Sequence, residues 1–285
     1  MNGDGPQRRS FTGAQGQRLA AACFGAGPPV LLLHGGGQTL TAWTRTARAL
    51  SELGYLAIAY DQRGHGESEW SPAGAYGFGD FAADLVSVTR QLPEPPALIG
   101  ASLGGLAGLL AEGELNPRGL TSLTLVDITP TMRPEGVAHI LGFMKAHLTE
   151  GFGSPEDAAE AIGDYLPHRQ RRTATVSLHR YLRLDEDGRY RWHWDPRFID
   201  AVTRDPPSQS AERFTAAARR LRLPVHLIRG ASSNLVTEAE ARHFLDLVPE
   251  ARYSDIAGAG HMVVGDRNDI FTSTIANFLI GLRNR

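Results

Sequence analysis

The sequence predicts an α/β fold built on a mostly parallel sheet with helices on both faces. Three observations carry that expectation. Short, continuous apolar runs bounded by turn residues recur along the chain, as in strands buried on both faces. Amphipathic stretches of helical period lie between them, and strands alternating with helices imply right-handed crossovers. The 32 glycines among 285 residues exceed the usual share of roughly 7%, and they gather at the ends of apolar runs.

In chain order, Arg8–Thr12 and Arg18–Phe24 read as a hairpin around the Gly/Gln-rich turn Gly13–Gln17. Val30–Leu33 is the first buried-strand run, followed by Tyr55–Tyr60, Ala97–Ile99, Leu120–Val126 and Pro224–Ile228. Thr41–Leu53, Phe78–Leu92 and Glu238–Leu247 space their apolar residues as helices, the last opening on Thr237-x-x-Glu240, a capping box. Ala251–Ile256 reads as a strand and Asp266–Leu282 as a closing helix. The alternation stops between 129 and 222, a region predicted to be mainly helical. Pro134–His147 is one candidate helix there, and Ser154-Pro155-Glu156-Asp157 marks the start of another: an N-cap, a proline in the first turn, then acids on the helix dipole. Asp185–Gly188 reads as a turn. The aromatics Phe143, Phe152, Tyr165, Tyr181, Trp192, Trp194 and Phe198 argue against a disordered insert. The expected division is a core of 1–128 with 223–285, and a cap of 129–222.

Composition excludes several classes. Lys and Arg total 29 against 31 Asp and Glu, a formal net charge of −2, unlike the basic excess of a nucleic-acid binder. The one cysteine, Cys23, rules out an intrachain disulfide and a cysteine metal cluster. No metal site and no cofactor are expected. No apolar run reaches about 18 residues, and Met1–Ser10 is polar, with no apolar segment of a secretory signal. A cytoplasmic protein without membrane association is the expectation.

The most informative segment is Leu98-Ile99-Gly100-Ala101-Ser102-Leu103-Gly104-Gly105-Leu106. It is a strand, then Gly-x-Ser-x-Gly, then an apolar run suited to the helix Leu103–Ala111. So sharp a turn leaves no room for side chains at Gly100 or Gly104, and it exposes the serine at a helix N-terminus whose amides favour a developing anion. A serine hydroxyl is a weak nucleophile and needs a base, an oxyanion pocket and usually an acid. His34-Gly35-Gly36-Gly37 ends the Val30–Leu33 run in bare backbone. Its Gly36 amide, with Gly37 next in line, is expected to form the oxyanion hole together with the Leu103 amide. The base is expected at His261, in Gly258-Ala259-Gly260-His261-Met262, a loop of small residues near the C-terminus. His65, in Asp61-Gln62-Arg63-Gly64-His65-Gly66-Glu67-Ser68, is its rival. That segment reads as a structural turn locked by Asp61 and Arg63, and His34 as a brace for its own loop.

These residues resemble the α/β-hydrolase superfamily. The resemblance runs from about Pro29 to Leu282 through His34-Gly35-Gly36-Gly37, Asp61-x-Arg63-Gly64-His65-Gly66-x-Ser68, Gly100-x-Ser102-x-Gly104 and Gly260-His261, in the family's order. It implies an eight-stranded, mostly parallel sheet with a helical cap after the sixth strand, Ser102 as nucleophile and His261 as base. The third member is left open. The family most often places an acid just after the seventh strand, and Asn234 stands there. Either Asp127, at the end of the sixth strand, serves instead, or Asn234 marks an engineered, weakened or non-hydrolytic member. The expected activity is hydrolysis of a carboxylic ester, lactone or thioester through an acyl-enzyme on Ser102. The rivals are perhydrolysis, C–C cleavage or elimination at the same site, or a binding protein. The small acyl substrate is expected to be apolar, with Trp192, Trp194 and Phe143 as candidate lining residues.

Overall fold

The computed structural model describes residues 5–165, 181–206, 209–261 and 268–284. Ten strands are formed among them: β1 (Gln7–Thr12), β2 (Arg18–Phe24), β3 (Pro29–Leu33), β4 (Leu56–Tyr60), β5 (Ala97–Ala101), β6 (Ser122–Val126), β7 (Leu182–Leu184), β8 (Tyr190–Trp192), β9 (Val225–Gly230) and β10 (Arg252–Ile256). Eight make one sheet in the order β1-β2-β4-β3-β5-β6-β9-β10. Only β2 runs against the rest, pairing antiparallel with both β1 and β4. The other pairings are parallel.

The apolar runs are continuous because both sheet faces are covered. Successive side chains alternate faces. Leu31, Leu33, Leu98, Leu123, Leu125 and Leu227 therefore join one core, with Phe81 and Leu85 of the helix Phe78–Thr89 and Leu106 and Leu110 of the helix Leu103–Leu110. Val30, Leu32, Ala57, Ala59, Ile99 and Ile228 join the other, with Ala47 and Leu50 of Thr44–Glu52 and Phe271, Ile275 and Phe278 of Asn268–Arg283. The capping box at Thr237 forms: its hydroxyl accepts the Ala239 amide at 3.2 Å, and Glu240 accepts the Thr237 amide at 2.8 Å. Asp266 and Arg267, where the closing helix was expected to begin, lie outside the described residues, as does Met262.

Between β6 and β9 lies the insertion. It holds helices Pro134–Lys145, Pro155–Tyr165, Pro196–Arg204 and Ala211–Arg219. Two features go beyond the sequence reading. Arg189–Trp194 follows the expected turn, closed by the Gly188 amide on the Asp185 carbonyl at 3.0 Å, but continues as β8, antiparallel to β7. The alternation Tyr190-x-Trp192 is a strand's period, and the turn makes it a hairpin. The last helix, Ala211–Arg219, packs on the core. Phe214 meets Phe78 edge-on at 5.3 Å, and a Cβ at Gly113 would come within 2.3 Å of the Ala217 carbonyl.

The elbow needs both of its glycines. A Cβ at Gly100 would sit 2.4 Å from the Gly104 carbonyl oxygen, and one at Gly104 would sit 2.5 Å from Leu33 Cβ and 2.7 Å from the Leu33 carbonyl oxygen. Backbone on both sides cannot yield cheaply. Gly104→Ala is expected to destabilise the fold by about 1–3 kcal/mol, the cost of overpacking. The denaturant midpoint reads this directly, and an unchanged midpoint would contradict it.

Candidate active site

Ser102 sits between β5 and the helix Leu103–Leu110 with φ 46° and ψ −113°. A non-glycine residue rarely occupies this region, and such strain persists only where the surroundings enforce it. Its amide donates to the Val126 carbonyl at 3.1 Å, which ties the serine to the end of β6. Leu103 opens the helix, so its amide belongs to the first turn, whose N–H groups have no partner within the helix.

The loop after β3 closes against the serine. A Cβ at Gly35 would lie 3.4 Å from Ser102 Cβ. Among the described residues the Gly36 amide has no hydrogen-bond partner. The Gly37 amide donates to His65 Nε2 at 3.1 Å. This corrects the expectation of Gly37 as a second donor: a committed N–H cannot also hold an oxyanion. Gly37 instead provides the turn, at φ 76°. Met144, Trp194 and Phe198 of the insertion pack onto these glycines. Cβ atoms at Gly36 and Gly37 would fall 3.1 Å from the Phe198 ring and 3.2 Å from that of Trp194.

His34 and His65 hold this loop from below. His34 Nδ1 lies 2.8 Å from the Gly35 carbonyl, and its Nε2 accepts the Gln62 amide at 3.0 Å. His65 Nδ1 lies 2.9 Å from the Arg63 carbonyl, which leaves Nε2 unprotonated to receive Gly37. Both rings are spent on backbone, as braces. The surrounding turn is locked as expected: Asp61 accepts the Leu40 and Glu67 amides at 2.7 and 2.9 Å, and buried Arg63 makes two 2.6 Å bonds to Asp84. The insertion grips the same turn. The Gly66 amide donates to His193 Nδ1 at 2.7 Å, the Asp195 amide donates to the Gly64 carbonyl at 2.9 Å, and the Tyr76 hydroxyl donates to Asp195 at 2.6 Å.

Burial pushes His34, His65 and His193 down to about 3. In the folded chain they stay neutral, whereas unfolded imidazoles take protons near 6.5. The unfolded state therefore binds more protons across that window, and stability is lost as pH falls through it. His226, lowered by burial to about 4, acts in the same sense, while Asp61, raised by burial to about 6, and Glu112, also raised by burial, act in the opposite one. Unfolding near pH 5 is expected to take up about two to three protons. A denaturant midpoint that falls steadily from pH 7 to pH 4.5 checks this; a flat one would contradict it.

Geometry separates the two candidates for the third position. Asp127 follows β6 with φ 49° and is fully buried. Its Oδ2 lies 2.7 Å from His261 Nδ1, and its Oδ1 accepts the Gly230 amide at 3.0 Å. Val126 pairs with Ala101 across β5 and β6, so Asp127 and Ser102 leave neighbouring strand ends, one strand spacing of about 4.8 Å apart. His261 is thereby brought beside the strand that bears the serine. Asn234, the other candidate, is exposed, and its backbone carbonyl packs against Gly136. It does not join His261. The sequence reading missed three contributors: Ser233, Met144 and His193. The first stood next to a named candidate, and nothing in the sequence marked the other two.

The aromatic candidates sit in the insertion as one cluster. Trp192 and Trp194 stack at 4.8 Å with planes 11° apart, and both are buried. Phe143 stacks on Tyr165 at 4.1 Å and leans on Trp192 at 5.8 Å. Of the three, Trp194 packs against the glycine loop.

The site thus holds a strained serine at a strand-to-helix elbow, a histidine on a buried aspartate and a glycine loop beside the serine. A sequence model of the alpha/beta hydrolase fold matches residues 28–267. The chain belongs to the α/β-hydrolase family. It is 29% identical over 266 residues to a 2-(acetamidomethylene)succinate hydrolase of Mesorhizobium japonicum, covering 90% of this chain and 89% of that one. It is 28% identical over 253 residues to an esterase of Mycobacterium tuberculosis, covering 85% and 80%. The crystal structure of an E-2-(acetamidomethylene)succinate hydrolase superposes with a TM-score of 0.83 at 24% identity, over 96% of this chain and 99% of that one. No helix among the described residues is long and apolar enough to cross a membrane.

Proposed function

We propose that this protein is a serine hydrolase that cleaves a carboxylic ester, lactone or thioester through an acyl-enzyme on Ser102. The 2.7 Å contact between His261 Nδ1 and Asp127 Oδ2 carries the reading. With its Nδ1 hydrogen on the carboxylate, a neutral His261 presents Nε2 as a base. Nε2 takes the Ser102 proton as Oγ bonds to the carbonyl carbon. The carbonyl π pair moves to oxygen, where the Gly36 and Leu103 amides hold it. Collapse re-forms the carbonyl and breaks the bond to the alkoxide or thiolate, which leaves with the proton from His261. Water then repeats the sequence on the acyl-serine and releases the acid. Asp127 remains an anion throughout and stabilises the imidazolium.

The insertion acts as a cap. Met144, Phe198 and Trp194 on the glycine loop favour an apolar acyl group, with Trp194 as the aromatic wall nearest the carbonyl and Trp192 and Phe143 supporting it. The esterase and hydrolase names of the relatives support the same chemistry. Asp127 on His261 supports a working site over the weakened or non-catalytic protein that Asn234 suggests.

A fluorophosphonate probe tests the proposal. Stoichiometric phosphonylation of the peptide bearing Ser102, absent in Ser102→Ala, is expected; an unlabelled wild-type chain across pH 6–9 would sink it. A second expectation concerns the cap wall. Trp194→Ala should raise KM for aryl esters by about tenfold, since loss of a buried aromatic contact costs at least one to two kcal/mol. A series of acyl-chain lengths measures it, and unchanged KM throughout would remove Trp194 from the pocket.

A further inference from the structure

The loop after β9 holds one buried hydroxyl, that of Ser233, that takes no direct part in acyl transfer. Ser233 Oγ accepts the amide hydrogens of Leu235 and Val236, each at 3.2 Å, and lies 2.6 Å from Asp127 Oδ2. A hydroxyl has one hydrogen and two lone pairs. Two amides occupy the lone pairs, so the single hydrogen is left to point at the carboxylate.

We infer that Ser233 is a positioning residue for Asp127: its hydroxyl, opposite the Gly230 amide, fixes the carboxylate so that Oδ2 faces His261 Nδ1. The inference rests on the reading of Ser102, His261 and Asp127 as nucleophile, base and acid. Its physical need is clear. Asp127 is fully buried, and among the described residues its only ion-pair partner is His261, a histidine that is charged only when protonated. A buried carboxylate without a standing cation is tolerable only when its oxygens receive hydrogen bonds. Gly230 serves Oδ1, and Ser233 with His261 serves Oδ2.

The arrangement also explains how the acid can sit on β6. β6 and β9 are adjacent, with Val126 opposite Ile228. The loop after β9, where this family most often carries its acid, approaches the same point and here supplies a hydroxyl in its place. The backbone amides of Leu235 and Val236 fix that hydroxyl's direction, so the carboxylate is oriented without a charged neighbour.

Kinetics of Ser233→Ala and Ser233→Thr on an aryl ester, with a pH profile for each, test the inference. Without the hydroxyl, the negative charge on Oδ2 is shared with fewer donors and attracts a proton on His261 more strongly. Ser233→Ala is therefore expected to lower kcat on the order of tenfold, the worth of one charge-assisted hydrogen bond. KM should change less than about twofold, and the acid limb of kcat/KM should move to higher pH. Ser233→Thr, which keeps the hydroxyl, should return both kcat and the limb toward wild type. Thermal unfolding of each variant separates loop damage from this effect, because a merely structural serine would lower the midpoint and leave the limb in place. A wild-type kcat and limb in Ser233→Ala overturn the inference while leaving the acyl-enzyme reading intact. Failure of the wild-type chain to react with the fluorophosphonate would instead remove the reading beneath it.

Discussion

Ser102→Ala is expected to lower kcat on aryl esters by about 10⁶-fold, the scale seen when the nucleophile of a serine hydrolase is removed. The fold should survive, because the strain at this residue is held by its neighbours: the Val126 carbonyl takes its amide, and Gly100 and Gly104 pack on either side. Alanine meets the same positive φ with the same Cβ and pays nothing new in sterics. A wild-type unfolding midpoint combined with loss of turnover is the expected pair of results. Residual activity above about one part in 10³ would mean that Ser102 does not carry the acyl group.

The second large effect is at the acid. Asp127→Asn is expected to lower kcat by about 10⁴-fold, the scale of the corresponding change in a serine protease. Three losses combine. The asparagine can turn an N–H toward His261, which makes Nδ1 an acceptor and leaves Nε2 protonated and unable to receive the serine proton. No anion remains to stabilise the imidazolium. The Ser233 hydroxyl and the Gly230 amide, both donors, face a side chain with one acceptor oxygen instead of two. Pre-steady-state kinetics should show the acylation step slowed along with turnover. An activity within tenfold of wild type would move the acid elsewhere.

Much of the fold was legible because its signals are local. Leu31-Leu32-Leu33 says that a strand is covered on both faces, and Thr237-x-x-Glu240 says where a helix begins. The elbow is legible for the same reason: Gly100 and Gly104 are required by a backbone contact four residues apart and by the strand next to it. The β7–β8 hairpin was not legible because three-residue strands carry too little period to stand out among helical neighbours, although the turn between them was recognisable.

Ser102, His261 and the Gly36 loop were legible as candidate positions, and their connections were not. Asp127 and Asn234 both follow strands that lie side by side, so strand order alone could not choose between them. What chooses is the direction of a side chain, set at Asp127 by a positive φ that an Asp-Ile pair does not advertise. Gly37 was lost as a donor because His65, 28 residues away, takes its amide. Ser233 went unseen because a serine in a loop has no sequence mark that distinguishes a surface hydroxyl from one aimed at a buried carboxylate.

On the proposed mechanism the acid acts from the end of β6 and position 234 has no part in the chemistry. One rate measures this most directly: kcat/KM for an aryl ester in the double variant Asp127→Asn with Asn234→Asp. Residue 234 is exposed while the carboxylate at 127 is the one on His261. The double variant is expected to be as slow as Asp127→Asn alone, about 10⁴-fold below wild type. Recovery to within tenfold of wild type would place a working acid at 234 and contradict it.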